Sequence, residues 1–175
     1  MKLNLREIIE IPGGSVPFSQ ELDTALLDFP SVRAYTAPIT AEGKVVNTAG
    51  ILTLQGRLHA QMLCVCDRCG AEFPRTVDLD LHADITADAQ DDDPEVFTLD
   101  GDWLDVDEVL STCFILSMDT KCLCKPDCAG LCDRCGANLN LGPCRCQKPR
   151  DPRMAVLEQL LDNKTDEEEA AHNSD

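Results

Sequence analysis

The chain has 175 residues, with 32 acidic side chains against 15 basic ones and a formal charge of −17 at pH 7. That charge excludes a generic binder of duplex nucleic acid, whose affinity rests on basic side chains meeting phosphates. It leaves a partner of basic proteins, or a protein that meets RNA on one local basic face. The length allows one modest domain with its own core plus a tail.

The first 43 residues open with Leu3, Leu5, Ile8, Ile9 and Ile11, followed by a loop containing proline and glycine. Leu22, Leu26 and Leu27 are spaced to share one face of a short helix. Arg6, Glu7 and Glu10 interrupt the apolar start, so no signal peptide is visible. No apolar run approaches the ~20 residues that span a bilayer. The expected location is the cytoplasm, where thiols stay reduced. Eleven cysteines there point to metal rather than disulfides.

From 44 to 85 the apolar period is two. Leu52, Leu54, Leu58, Ala60 and Met62 alternate with polar or small residues, and Val77, Leu79, Leu81, Ala83 and Ile85 do so with Asp78, Asp80, His82 and Asp84. Both stretches predict strands with one buried face. CVCDRCG, residues 64–70, lies between them at a strand-to-strand connection, which suggests an antiparallel meander. Residues 88–108 hold ten acidic side chains and no basic one. Such a run reads as a solvated loop, or as a docking strip for a basic ribosomal-type protein.

A helix is predicted over 105–118, with Val106, Val109, Leu110, Cys113 and Leu116 on its apolar stripe. Cys113 on that stripe reads as a small core hydrophobe. A cysteine-rich lobe follows over 121–148. Asp151-Pro152-Arg153 then opens a final helix over 151–161, with Asp as N-cap and Pro in the first turn. Met154, Leu157, Leu160 and Leu161 mark its buried face, and 162–175 is an acidic tail expected to be disordered. The expected fold is α+β. An antiparallel β meander or partly closed barrel over 1–104 joins a zinc-binding cysteine lobe and two short helices, all in one domain, 1–161.

The pentapeptide CDRCG occurs at 66–70 and again at 132–136. Two cysteines separated by two residues can bend around one zinc ion, and the following glycine permits the tight turn that points amides at the sulfurs. Structural zinc takes four ligands in a tetrahedron. The preferred pairing puts Cys66 and Cys69 with Cys124 and Cys128, and Cys132 and Cys135 with Cys144 and Cys146. A rival joins the two CDRCG knuckles in a single ribbon site, since spacing does not fix connectivity. Cys64, Cys113 and Cys122 are left over. Cys64 and Cys122 lie near ligands and can substitute for one, although plain strand or loop roles are favoured.

Catalysis finds little support. A redox C-x-x-C needs a helix N-terminus or basic setting, often in a βαβ context, whereas this first pair joins antiparallel strands. Catalytic zinc keeps an open position and usually takes some His or carboxylate ligands. His59, His82 and His172 are the only histidines, and none has ligand spacing. No phosphate loop or nucleophile elbow is present. A local charge reversal covers 133–153. There Arg134, Arg145, Lys148, Arg150 and Arg153 face only Asp133 and Asp151, which leaves +3 on the segment and −20 on the remainder. These five residues are candidates for RNA phosphate contact.

The ordered residues Cys66-Asp67-Arg68-Cys69, Cys124, Cys128, Gly130-Leu131-Cys132, Cys135-Gly136, Asn138-Leu139-Asn140, Cys144, Cys146 and Asp151-Pro152-Arg153 form one pattern. It resembles the YceD family, the large ribosomal RNA subunit accumulation proteins, over roughly 44–161. The resemblance implies a bacterial cytoplasmic ribosome-biogenesis factor with no catalytic residue to carry over. Its expected partners are a large-subunit ribosomal RNA precursor or pre-ribosomal particle, with basic ribosomal proteins or an RNA-processing factor beside it. Relatives that keep the first C-x-x-C while losing much of the later array favour two separable sites. Cys64, Cys113 and Cys122 are additions to the family pattern. The competing functions are a nucleic-acid-binding zinc-ribbon regulator and a C-x-x-C thiol oxidoreductase.

Overall fold

The computed structural model describes residues 1–86 and 96–146. The chain divides into two compact units, Met1–Gly130 and Leu131–Asp175. In the first unit the elements run β1 (Lys2–Asn4), α1 (Arg6–Ile9), β2 (Ser15–Leu22), β3 (Val32–Tyr35), β4 (Ile39–Thr48), β5 (Ile51–Val65), β6 (Glu72–Thr86), β7 (Val96–Thr98), β8 (Trp103–Asp105) and α2 (Val106–Ser117).

The main sheet has the order β2-β4-β5-β6-β7, with β3 paired to β5 beyond the end of β4. Its spine is the long β5–β6 hairpin, whose partners run from Leu52↔Ile85 to Val65↔Glu72. The alternation read from the sequence sets its buried face. Leu52, Leu54, Leu58, Ala60, Met62 and Cys64 of β5 join Leu81, Ala83 and Ile85 of β6 in the core. Asp78, Asp80, His82 and Asp84 point the other way and are exposed. The first CDRCG therefore sits at the hairpin tip, between Val65 and Glu72.

Helix α2 adds Val106, Val109, Leu110 and Phe114 to the same core. Asp105 caps it by accepting the Asp107 amide at 3.1 Å. β1 pairs antiparallel with β8 in a separate ribbon, which carries Leu5 and Leu104 into the core. Asn47, 1% exposed, organises the N-terminal end of the chain. Its side-chain amide donates to the Ile8 and Ile9 carbonyls at 2.7 and 2.9 Å, and its oxygen accepts the Gly50 amide at 2.8 Å.

Gly43 and Gly56 face each other across β4 and β5. A Cβ on Gly43 would lie 2.3 Å from the Gln55 carbonyl oxygen and 2.9 Å from Cζ of Phe18. The backbones approach too closely for a side chain there, and the Phe18 ring covers the gap.

Several expectations change. The sheet is open rather than a partly closed barrel, and it is mixed, because β7 pairs parallel with β6 (Asp84↔Val96). Leu22 ends β2 instead of opening a helix. A 3-10 turn, Thr24–Leu26, follows because the Asp23 side chain caps it through the Ala25 amide. Half of the acidic run is built into the fold. Residues 96–108 supply β7, β8 and the start of α2, while 87–95 lie outside the described residues. On α2, Leu116 is 65% exposed and Phe114 takes its place in the core. Phe29 draws the stripe to that side, meeting Phe114 edge-on at 5.8 Å. The expected helix 151–161 and the tail 162–175 lie outside the described residues. No helix among the described residues is long and apolar enough to cross a membrane.

The glycine pair gives a direct test. Gly43→Ala forces a backbone shift, an overpacking defect that typically costs ~1–3 kcal/mol. Its urea midpoint should fall accordingly, while Ser19→Ala, at an exposed position on β2, should stay within about 0.5 kcal/mol of the parent. A parental midpoint for Gly43→Ala would show that the two strands do not approach as described.

Candidate metal centres

At the β5–β6 tip the chain folds into a knuckle. The Cys66 amide donates to the Ala71 carbonyl at 2.9 Å and the Gly70 amide to the Cys66 carbonyl at 2.8 Å. Gly70 turns with φ +67°, the left-handed region that favours glycine. The segment after α2 brings Cys124 and Cys128 to this knuckle. All four sulfurs lie within 4.8 Å of one another. Cys66–Cys128 and Cys69–Cys124 are each 3.7 Å apart. A tetrahedral ion with metal–sulfur bonds of ~2.3 Å places its ligands about 3.8 Å apart. Disulfide sulfurs would be at ~2.05 Å. The donor set therefore fits a four-coordinate, thiophilic metal ion.

The Asp-Arg of this pentapeptide holds the site together. The Asp67 carboxylate accepts the Cys122 amide at 2.6 Å and the Ser31 hydroxyl at 2.9 Å. The Asp67 amide donates in turn to the Cys122 carbonyl at 2.8 Å. Arg68 Nη1 donates to the Cys128 carbonyl at 2.9 Å. Cys66, Cys69 and Cys128 are buried, with Phe73 and Leu123 packed against them. Burial opposes ionisation of Cys66, but the amides of Cys124, Cys69 and Arg68 outweigh it and hold the thiol down at about 6. Burial and the neighbouring sulfurs push Cys124 up to about 12. A metal ion displaces the remaining protons.

The second CDRCG repeats the same backbone pattern inside the second unit. The Cys132 amide donates to the Ala137 carbonyl at 2.8 Å and the Gly136 amide to the Cys132 carbonyl at 2.9 Å, with Gly136 at φ +70°. Leu131 bridges to Asn138, whose side chain caps the 3-10 turn Leu139–Leu141. Cys132, Cys135, Cys144 and Cys146 again place their sulfurs within 4.8 Å, with Cys144 and Cys132 at 3.4 Å. This cluster is more open, because Cys135 is exposed and Cys144 and Cys146 are half-buried. Amides of Cys135 and Arg134 bring Cys132 down to about 7. Interaction with Cys135, then burial, pushes Cys146 up to about 12.

The remaining predicted residues fall outside both clusters. Cys64 is fully buried on β5, and burial followed by the Cys122 thiol pushes it up to about 11. Arg75 reaches Cys122 Sγ at 3.9 Å and Asp119 at 2.6 Å. Cys113 is half-buried on α2. His59 Nδ1 lies 2.6 Å from Asp78 on the exposed sheet face, and His82 is also exposed. Neither belongs to a metal-sized group among the described residues. Arg134 and Arg145 are exposed, whereas Lys148, Arg150, Arg153 and His172 lie outside the described residues. Sequence reading overlooked Asp67, Arg68, Ser31 and Arg75. The repeated Asp-Arg was the available signal for the first two.

A family model described as large ribosomal RNA subunit accumulation protein YceD matches residues 54–161, a span that contains both clusters. An uncharacterised protein of Mycobacterium tuberculosis is 27% identical over 122 residues, covering 67% of this chain and 58% of its own length. A maize protein (Zea mays), named large ribosomal RNA subunit accumulation protein YCED homolog 1, chloroplastic, is 24% identical over 147 residues. That match covers 65% of this chain and 50% of the maize protein. The chain thus spans only half to three-fifths of the length of these two relatives. No solved structure matches it.

If each cluster holds one ion, Cys66→Ser and Cys132→Ser should each remove one equivalent of bound metal, measured by plasma mass spectrometry. Cys66→Ser should also lower the melting temperature of the sheet, and Cys132→Ser should leave that transition in place. Cys113→Ser should retain the full metal content. Loss of both equivalents in either single variant would contradict two independent sites.

Proposed function

This chain belongs to the YceD family, and we propose on that footing that it is a non-catalytic ribosome-biogenesis factor of the cytoplasm. It supports accumulation or processing of large-subunit ribosomal RNA. The family match across 54–161 is the observation that carries this reading. The name of the maize relative, a large ribosomal RNA subunit accumulation protein homolog, supports it.

In this reading both clusters hold structural zinc. All-cysteine tetrahedral sites suit zinc, and four protein ligands leave no open position for substrate or activated water. The first ion fastens the segment after α2 to the tip of the β5–β6 hairpin. The second organises 131–146, where there is little apolar burial to do so. Both Arg134 and Arg145 sit directly beside cysteines of the second cluster. With Lys148, Arg150 and Arg153 they form the RNA-contacting segment on an otherwise acidic chain. The partner is a large-subunit ribosomal RNA precursor or pre-ribosomal particle. The acidic body is suited to repelling indiscriminate RNA contact and to meeting a basic ribosomal protein or an RNA-processing factor.

Depletion in the native host tests this reading. The ratio of mature large- to small-subunit ribosomal RNA should fall, with a matching loss of large subunits on a gradient. Re-expression of a variant with Arg134, Arg145, Lys148, Arg150 and Arg153 neutralised should restore the ratio less well than the parent. An unchanged ratio on depletion would overturn the assignment.

A further inference from the structure

The two CDRCG knuckles share one backbone pattern but use their Asp-Arg differently. In the first, Asp67 holds Cys122 and Ser31, and Arg68 holds the Cys128 carbonyl. Both side chains are engaged in hydrogen bonds within the first unit, although both residues are exposed. In the second, Asp133 turns to its own knuckle, 3.7 Å from Cys132 Sγ. Arg134 is exposed and makes no side-chain hydrogen bond or ion pair among the described residues.

The apolar surroundings differ in the same direction. Phe73 and Leu123 pack against the first cluster. In the second unit Leu131 is 47% exposed and Leu141 is 88% exposed. Neither is loosely placed. Leu131 pairs with Asn138, and the Leu141 amide donates to the Asn138 carbonyl at 3.1 Å. Arg145 is exposed between two cysteines of the cluster. One short cysteine-braced segment thus presents two guanidinium groups and two apolar side chains to solvent.

We propose that this second knuckle is a reader of unpaired RNA, with Arg134 and Arg145 on phosphates and Leu141, assisted by Leu131, against the face of an unstacked base. The inference rests on the RNA partner proposed above and adds the form of RNA recognised. Guanidinium groups alone would serve duplex and single strand alike. An exposed leucine gains contact only where a base face is open, and in a duplex those faces are closed by stacking. Sequence-specific RNA recognition generally targets such splayed bases, and zinc knuckles are among the modules that do so.

The test uses the full chain carrying its metal and measures fluorescence anisotropy with a labelled single-stranded oligoribonucleotide and a blunt RNA duplex of equal length. Metal content and melting temperature are checked for every variant. The parent should bind the single strand at least ~10-fold more tightly, and Leu141→Ser should weaken that binding about 5- to 10-fold, as expected for losing the partial burial of one leucine side chain. Leu141→Ser should leave duplex binding unchanged. Arg134→Gln with Arg145→Gln should flatten the salt dependence by about 1.4 in log–log slope, at ~0.7 for each phosphate contact on a single strand. Equal affinity for both RNAs would overturn this inference, as would indifference to Leu141→Ser with the metal retained; either leaves the family-based function standing. Failure of the parent to bind any RNA would overturn both this inference and the direct RNA contact proposed above.

Discussion

Four sulfurs brought within 4.8 Å at the tip of a hairpin set the terms for the rest of the first unit. Thiols at that spacing cannot all ionise unless a cation lies among them. Without one, the thiols of Cys66 and Cys124 are driven apart, to about 6 and about 12. The hairpin delivers one pair of sulfurs and the segment after α2 delivers the other. Asp67 and Arg68 stitch these two pieces of backbone together. The long sheet and helix α2 form the base of the tip. The tip in turn fixes where the chain leaves the first unit.

The repeated knuckle illustrates how one local structure serves two ends. The spacing, the glycine and the amide pattern recur, so the turn that carries each cysteine pair is the same in both. What differs is the surroundings. One knuckle is covered by apolar side chains and bonded through its Asp-Arg. The other is open, with Arg134, Leu131 and Leu141 facing water. In the proposed reading the first acts as a fastener and the second as a braced surface. This division agrees with the charge distribution, since a chain of −17 presents its cluster of basic residues on and just beyond that second knuckle.

Much of this was legible in the sequence because it depends on short periods and short spacings. Alternation announced β5 and β6, and the α2 stripe was correct through Leu110. What was not legible depends on contacts between distant residues. Phe114 replaces Leu116 in the core because Phe29 packs from that side. The close approach at Gly43 and Gly56 exists only in the register that places them face to face. The parallel placement of β7 has no signature in its three residues. Asn47 looks like a turn residue and becomes a buried clasp only once α1 folds over it. The cysteines offered several pairings on spacing alone, and the bonds of Asp67 and Arg68 that hold the first group together arise only in the folded chain.

Cadmium-113 NMR of the chain after metal exchange tests the central claim most directly, since each shift reports the donor set of its ion. Two resonances in the four-sulfur range, without coupling between them, are the predicted result: Cys66, Cys69, Cys124 and Cys128 around one ion, and Cys132, Cys135, Cys144 and Cys146 around another. A single resonance, cadmium–cadmium coupling through a shared sulfur, or a shift indicating nitrogen or oxygen ligands would contradict it.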